Sequence, residues 1–341
     1  MVFDRFALGD LTVRILGAPM AGGPSTPALA AAVSNGGGLG FLAGGLLSAE
    51  ELADAILAAR RLTSGPLGVN LFVPQARVAT PDELGAFAAA LEAEAEFYGV
   101  ALGEPHGDDD EYAAKLDVVC DLRPEVVSFT FGSPSEAACI RLGDAGILTL
   151  ATVTTVREAL IAVSFGVSGV VAQGPGAGGH RATFDPIAAP AADPLDDLVS
   201  ALVACFDCPV VAAGGLGTAA AVQQVRDAGA SAVQIGTAFL LADEAGTNPV
   251  HRAALRDPQF TETVVTRAFT GRYARALRNR FIDTHDAHAV FGFPQAAMIT
   301  GPIQAAAVKL GDPHGVGMWT GAAFGHVRTG SATDIVQELA G

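Results

Sequence analysis

Eight short apolar runs, each trailed by a helical pattern, constrain this chain more than any other feature. Parallel strands need a long crossover between them, and sheets built that way close or stack in few ways. The runs are 12–19 "TVRILGAP", 38–45 "GLGFLAGG", 67–73 "LGVNLFV", 126–132 "VVSFTFG", 148–153 "LTLATV", 169–174 "GVVAQG", 209–215 "PVVAAGG" and 232–239 "AVQIGTAF". Between them lie helical stretches such as "SAEELADAILAARRL", "TTVREALIAVSFG" and "TAAAVQQVRDAGA", several opening on a cap or proline and closing on glycine. The pattern predicts an α/β fold, a TIM (β/α)8 barrel. A doubly wound sheet is the rival architecture, but it seldom needs eight such regular units.

A barrel uses roughly 250 residues, so the 341 present leave a remainder. Most of it falls after the eighth strand, where the β/α rhythm stops and Arg, His and Phe become frequent. The expected division is a barrel over 1–242, a small, mostly helical lobe inserted after strand 8 over 243–326, and a C-terminal helix returning to the barrel over 327–341. Extra length between strands 3 and 4 includes the acidic "GDDDE", expected to be a solvated loop.

Apolar residues make up 50% of the chain and charged ones 16%, enough to bury a large core. No apolar run approaches the ~20 residues of a membrane span, and the N-terminal residues lack the pattern of a secretory signal. We therefore expect no membrane association and a cytoplasmic location. A net charge of −16 repels polyanions and argues against nucleic acid as a partner. Four cysteines are too few for a disulfide scaffold. The "CFDC" pair lacks a second pair to complete a zinc site, so inert thiols and no metal are expected.

Catalytic groups of a barrel gather at the C-terminal ends of its strands. Here those ends carry many glycines, the amides of Asn70 and Gln173, one imidazole, no lysine and no carboxylate pair. Glycosidase and Schiff-base chemistry are thus poorly supported. "AAGGLG" and "IGTAF" follow strand 7 and end strand 8, where barrels bind phosphate through main-chain N–H groups. The loop "QGPGAGGHR" lets a flat ligand approach the main chain, with His180 in reach of its face.

With these blocks in view, the chain resembles the nitronate monooxygenases, formerly 2-nitropropane dioxygenases, which are FMN-dependent barrels. The similarity runs through "APMAGGPSTPALAAAVSNGGGLGFLAGG", "GVNLFVP", "VVSFTFG", "QGPGAGGHR", "VVAAGGLGT", "VQIGTAFL" and "AFTGRYARALRNRF", in that order. It implies that Ala18, Pro19 and Met20 line the flavin ring and that Asn70 and Gln173 hydrogen-bond it. Gly178 and Gly179 would pack near the ring, and Gly214, Gly215, Gly236 and Thr237 would hold the FMN phosphate. His180 corresponds to the family's active-site histidine. The implied reaction joins an anionic nitronate with O2 to give a carbonyl product and nitrite or nitrate, in a monomer or homodimer. Two positions depart from the family, Gly176 where Glu is usual and Ala182 where Gly is usual, and "FGFPQAAMITGPI" offers Phe where some relatives place Tyr. An FMN-dependent NAD(P)H enoyl or quinone reductase is the alternative on the same barrel. A sugar-phosphate-binding barrel without flavin, or a non-catalytic flavin binder, is the alternative of another class.

Overall fold

The computed structural model describes residues 6–107 and 109–341. The first five residues, and Asp108 of the acidic loop, lie outside the described residues. All eight apolar runs form strands. In chain order they are β1 (Ile15–Gly17), β2 (Gly40–Ala43), β3 (Leu67–Phe72), β4 (Val126–Thr130), β5 (Leu148–Val153), β6 (Gly169–Gln173), then, beyond a two-residue strand β7 (Gly179–His180), β8 (Val210–Ala213) and β9 (Ala232–Ile235). Parallel pairing runs β1-β9-β8-β6-β5-β4-β3-β2. Leu39 closes the ring against Leu16: its N–H donates to the Ile15 carbonyl at 3.0 Å and its own carbonyl accepts from Gly17 N–H at 2.9 Å. This is a TIM barrel.

Because helices cover the outer face, the strands are buried on both sides and read as runs of small and branched residues. Val69, Val127, Leu150, Val170, Val211 and Val233 are all fully buried. Gly40 shows how close the layers lie, since a Cβ there would stand 1.8 Å from the Ala30 carbonyl oxygen of the helix Pro27–Asn35. Most of the outer helices start on side-chain caps. Thr26, Ser48, Thr155, Thr218 and Ser331 each accept from an N–H of the first turn. Phe6, Leu8 and Leu11 plug the barrel floor against Leu16, Phe41, Leu150 and Val211.

Beyond β9 the chain leaves the barrel for almost a hundred residues before the helix Ala332–Ala340 returns to it, where Thr333 Oγ1 donates to Ala32 O at 2.9 Å and Gln337 Nε2 to Gly36 O at 2.7 Å. The excursion carries the helices Pro249–Ala254, Arg280–His285 and Gln295–Leu310. It also carries an antiparallel hairpin that a helical reading does not include, β10 (Thr263–Thr266) and β11 (Ala274–Leu277). The free edge of β11 pairs with β7, placing His180 opposite Ala274.

The segment between β3 and β4 folds as the helices Pro81–Ala90, Glu92–Tyr98 and Tyr112–Leu122. Its Phe87, Leu91 and Ala95 share one apolar cluster with Ile299, Ile303 and Ala307 of the excursion. The acidic loop is not merely solvated. Asp110 Oδ1 lies 2.8 Å from the buried Lys115 ammonium and accepts Leu46 N–H at 2.9 Å, while Glu111 Oε2 accepts Ala49 N–H at 2.8 Å. A buried ammonium and the first turn of the helix Ala49–Leu62 both need carboxylates, and this loop supplies them. The four cysteines are unpaired, Cys205 exposed and Cys139 buried.

Candidate active site

The loops after β1, β6, β8 and β9 meet at the C-terminal mouth of the barrel. Ala18 N–H donates to Ile235 O at 2.7 Å, and a Cβ on Gly236 would lie 3.2 Å from that of Ala18. The turn holding Pro19 is pinned by Ser25, whose Oγ accepts Met20 N–H at 2.8 Å. After β8, Gly214 (φ +105°) and Gly215 (φ +76°) occupy left-handed conformations, and a side chain on Gly214 would strike Ala177 at 2.8–3.1 Å. Among the described residues, the main-chain N–H groups of Gly215, Leu216, Gly217, Thr237 and Ala238 donate to no protein acceptor. Unspent N–H groups of this kind, converging from two neighbouring strands, suit an anion.

A strap made by Trp319–Ala322 crosses the same mouth. Gly321 N–H donates to Thr237 Oγ1 at 2.9 Å, and Ala322 N–H donates to Gly176 O at 3.0 Å. The strap accounts for Gly178, where a Cβ would lie 2.4 Å from Gly321 N. It also bears on Gly176, since a Cβ there would meet Gly215 Cα at 3.0 Å and Ala322 Cβ at 3.6 Å. A glutamate in that place could not share this packing. Ala182 is fully buried and its N–H is held by Gln173 Oε1 at 3.0 Å.

Gln173 and Asn70 are engaged with protein. Gln173 Nε2 donates to His180 O at 3.1 Å, so its amide clasps both ends of the His180 turn. Asn70 Nδ2 donates to Ser128 Oγ at 2.9 Å and Thr130 Oγ1 at 3.0 Å.

His180 sits among aromatic rings. Its centroid is 5.1 Å from Phe293, 5.5 Å from Trp319 and 5.7 Å from Phe131. Phe131 holds φ +75°, a conformation bulky residues avoid. Phe72 packs on it at 4.7 Å, and the Arg272 guanidinium carbon lies 4.0 Å over its ring. Burial, then the charge of Arg272, pushes the His180 pKa down to about 3, so the ring is neutral at pH 7. Its Nε2 is 2.9 Å from Thr270 Oγ1.

Three arginines that the sequence reading did not single out lock the glycine loop. Arg181 donates to Gly174 O at 2.9 Å, Arg275 to Pro175 O at 3.1 Å, and Arg272 to Thr183 O and Gln75 Oε1. Arg181 and Arg272 are 1% exposed, and burial lowers both to about 10. Each nonetheless stays charged at pH 7. Glu158, the carboxylate facing both, is occupied by Thr154 and Phe184 N–H. The signal was present in "GHR" and "GRYARALRNRF", but charge density alone does not say which arginines turn inward. Among the described residues, no cluster of three His, Cys, Asp or Glu could hold a metal ion, and no helix is long and apolar enough to cross a membrane. A cleft of about 380 Å³ bordered by Leu241, Arg256, Phe324 and Arg328 contains none of the residues above.

A barrel whose C-terminal mouth joins an N–H anion cradle to a neutral imidazole in an aromatic cage defines a class, the (β/α)8 proteins with an anion-binding mouth. Comparison with known proteins narrows it. The family model described as nitronate monooxygenase matches residues 7–341, and the chain belongs to that family. A probable nitronate monooxygenase of Staphylococcus aureus (strain MSSA476) is 35% identical over 332 residues, covering 95% of this chain and 92% of its own. Among solved structures, a nitroalkane oxidase from Streptomyces ansochromogenes is similar with TM-score 0.94 and 42% identity, over 98% of this chain and 96% of that one. FabK from Thermotoga maritima shares the fold, with TM-score 0.75 and 24% identity, over 99% and 95%.

Proposed function

We propose that the protein binds FMN noncovalently across the barrel mouth and oxidises alkyl nitronates with O2 to a carbonyl product and nitrite or nitrate. The observation that carries this reading is the pairing of an uncharged His180, caged by Phe131, Phe293 and Trp319, with buried arginines that donate to main-chain and amide oxygens. Such arginines provide positive potential without a competing contact, which favours an anionic substrate. The unspent N–H groups of Gly215, Leu216, Gly217, Thr237 and Ala238 fit a phosphate, and the Ala18–Met20 turn and Gly179 fit an adjacent planar ring. Bound FMN would supply the electron transfer between substrate and O2. The chain's own residues bind the anion, orient it and exclude water. Residues 243–326, which bring Thr270, Phe293 and Trp319 to His180, would act as the substrate-covering lobe.

A second reading, oxidation of neutral nitroalkanes, is favoured by the similarity to the Streptomyces enzyme. It needs a base, and an imidazole held near pKa 3 is a weak one. The test compares nitroethane with preformed ethylnitronate on wild type and His180→Asn. We expect yellow protein releasing FMN on acid precipitation, faster turnover of the nitronate, and a loss of about 10²-fold in the variant, the scale of a missing oxyanion donor. Equal nitronate rates in both proteins would overturn the reading. Rapid bleaching of the flavin by NADPH instead would favour an enoyl or quinone reductase.

A further inference from the structure

Phe131 follows β4 with φ +75°, and its backbone is clamped on both sides. Thr130 O accepts Val73 N–H at 2.9 Å, and Phe131 O accepts the side-chain amide of Gln75. Glycine is unstrained in that conformation and phenylalanine is not. Strain kept at one residue beside a candidate active site points to a task for its side chain. The ring is 2% exposed, with Phe72 at 4.7 Å, Phe293 at 5.4 Å and the His180 ring at 5.7 Å. Its face covers the Arg272 guanidinium carbon at 4.0 Å.

Arg272 has five N–H groups and meets four acceptors, Arg181 O at 3.5 Å, Gln75 Oε1, Thr183 O and Thr183 Oγ1 at 3.3 Å, which leaves one N–H without an acceptor among the described residues. Its charge acts on His180, yet the residue is 1% exposed and capped by the Phe131 ring. The cation therefore reaches the His180 site as a field and not as a contact. The other rings there, Phe72, Phe293 and Trp319, are half-buried and carry no charge.

We propose that Phe131 is a specificity-determining residue: by capping Arg272 it makes the His180 site select an anionic head with an apolar tail and exclude a tail that ends in a second carboxylate. One negative charge is drawn in by the potential of the arginine. A second would lose its water among aromatic rings with no cation in reach, which is strongly unfavourable. An apolar tail gains with every methylene it buries. The inference rests on the nitronate reading for the identity of the head, but not for the preference in the tail.

The experiment titrates the flavin-loaded protein with butyrate, hexanoate, succinate and adipate, whose carboxylate, like a nitronate, is planar and spreads one charge over two oxygens. Binding is read from the flavin difference spectrum and from the emission of Trp319, the sole tryptophan of the sequence and 5.5 Å from His180. In wild type, hexanoate should bind about tenfold more tightly than butyrate, at about threefold to fourfold per methylene. Each diacid should bind at least about tenfold more weakly than the monoacid of its length. Phe131→Gly removes cap and strain together, so the diacids should gain about tenfold relative to the monoacids through a direct charged contact, while Phe131→Leu keeps the cover and the wild-type order. Should the glycine variant not fold, Phe131→Asn, tolerant of the left-handed region, takes its place. Diacids that bind wild type as well as monoacids do, or a glycine variant in which all four acids weaken alike, would overturn the proposal. The expected order in a protein that does not turn over nitronate would sustain the role of Phe131 and sink the substrate assignment.

Discussion

Arg272 touches nearly everything that shapes the cage: the face of Phe131, the carbonyl of Thr183, the amide of Gln75 and, through its charge, His180. Replacing it by methionine keeps the bulk and removes five donors. We expect Arg272→Met to lose about 2–3 kcal/mol of stability, because the buried Thr183 carbonyl and the half-buried Gln75 amide are left unpaired, which denaturant unfolding of the holoprotein measures. The sign of its electrostatic effect is opposite for His180. Arg272 depresses that pKa, so its removal lets the imidazole rise toward the ordinary value, visible as a titration of the His180 resonances at higher pH. Unchanged stability would mean that the loop is held by Arg181 and Arg275 alone. The sequence placed His180, the Gly214–Gly215 turn and Thr237 at the mouth, because strand ends and glycines are local signals. It did not show Thr270 or Arg272, since a threonine and an arginine in a loop acquire meaning only when a hairpin ninety residues downstream pairs with β7.

At the scale of elements, the glycine turns and the strap form one mechanical unit. Gly215 is open enough that a Cβ would meet only Gly176 Cα at 3.7 Å, yet its φ of +76° strains any side chain. Gly215→Asp adds that strain and a negative charge beside the unspent N–H groups. We expect purified variant protein to contain at most about a tenth of the wild-type flavin, since losing even one charged hydrogen bond of ~1.5–3 kcal/mol has that effect. Normal flavin content would place the phosphate elsewhere. Asn70 and Gln173 illustrate what motif reading leaves out. They were expected to reach the flavin ring, and the structure shows what else those amides do, one bridging β3 to β4 and the other clasping the His180 turn. The hairpin β10–β11 escaped sequence reading because "TVVT" and "ARAL" are too short to show a period against the helices around them.

Over the whole molecule, the two insertions behave as one body, and a buried clip explains how. Glu94 accepts from Arg280 through both oxygens and lies 3.5 Å from His285 Nε2, joining the helix Glu92–Tyr98 to the helix Arg280–His285. Burial alone would raise the Glu94 pKa, but Arg280 and His285 together hold it below the ordinary value. A carboxylate depressed in the folded state stabilises above its unfolded pKa, and that contribution disappears as pH falls through the folded value. Glu94→Gln should therefore cost about 1–2 kcal/mol at pH 7, discounted because Arg280 is partly exposed. The difference from wild type should shrink as pH falls through the depressed Glu94 value, and a constant gap in thermal midpoints from neutral to acid pH would refute it. The barrel's eight units were legible from end to end, but the partnership of two distant insertions was not, because contact between remote segments leaves no periodic trace. The eighth unit carries one more consequence. Its strand ends at Ile235 and its helix begins at Ala332, so the barrel wall is completed by a segment whose return requires closing a very long loop. Loop entropy delays such contacts. Refolding should show the barrel hydrogen bonds protected against exchange before the Leu339 face of the last helix docks, leaving a late, open-seamed species as the stage most exposed to aggregation.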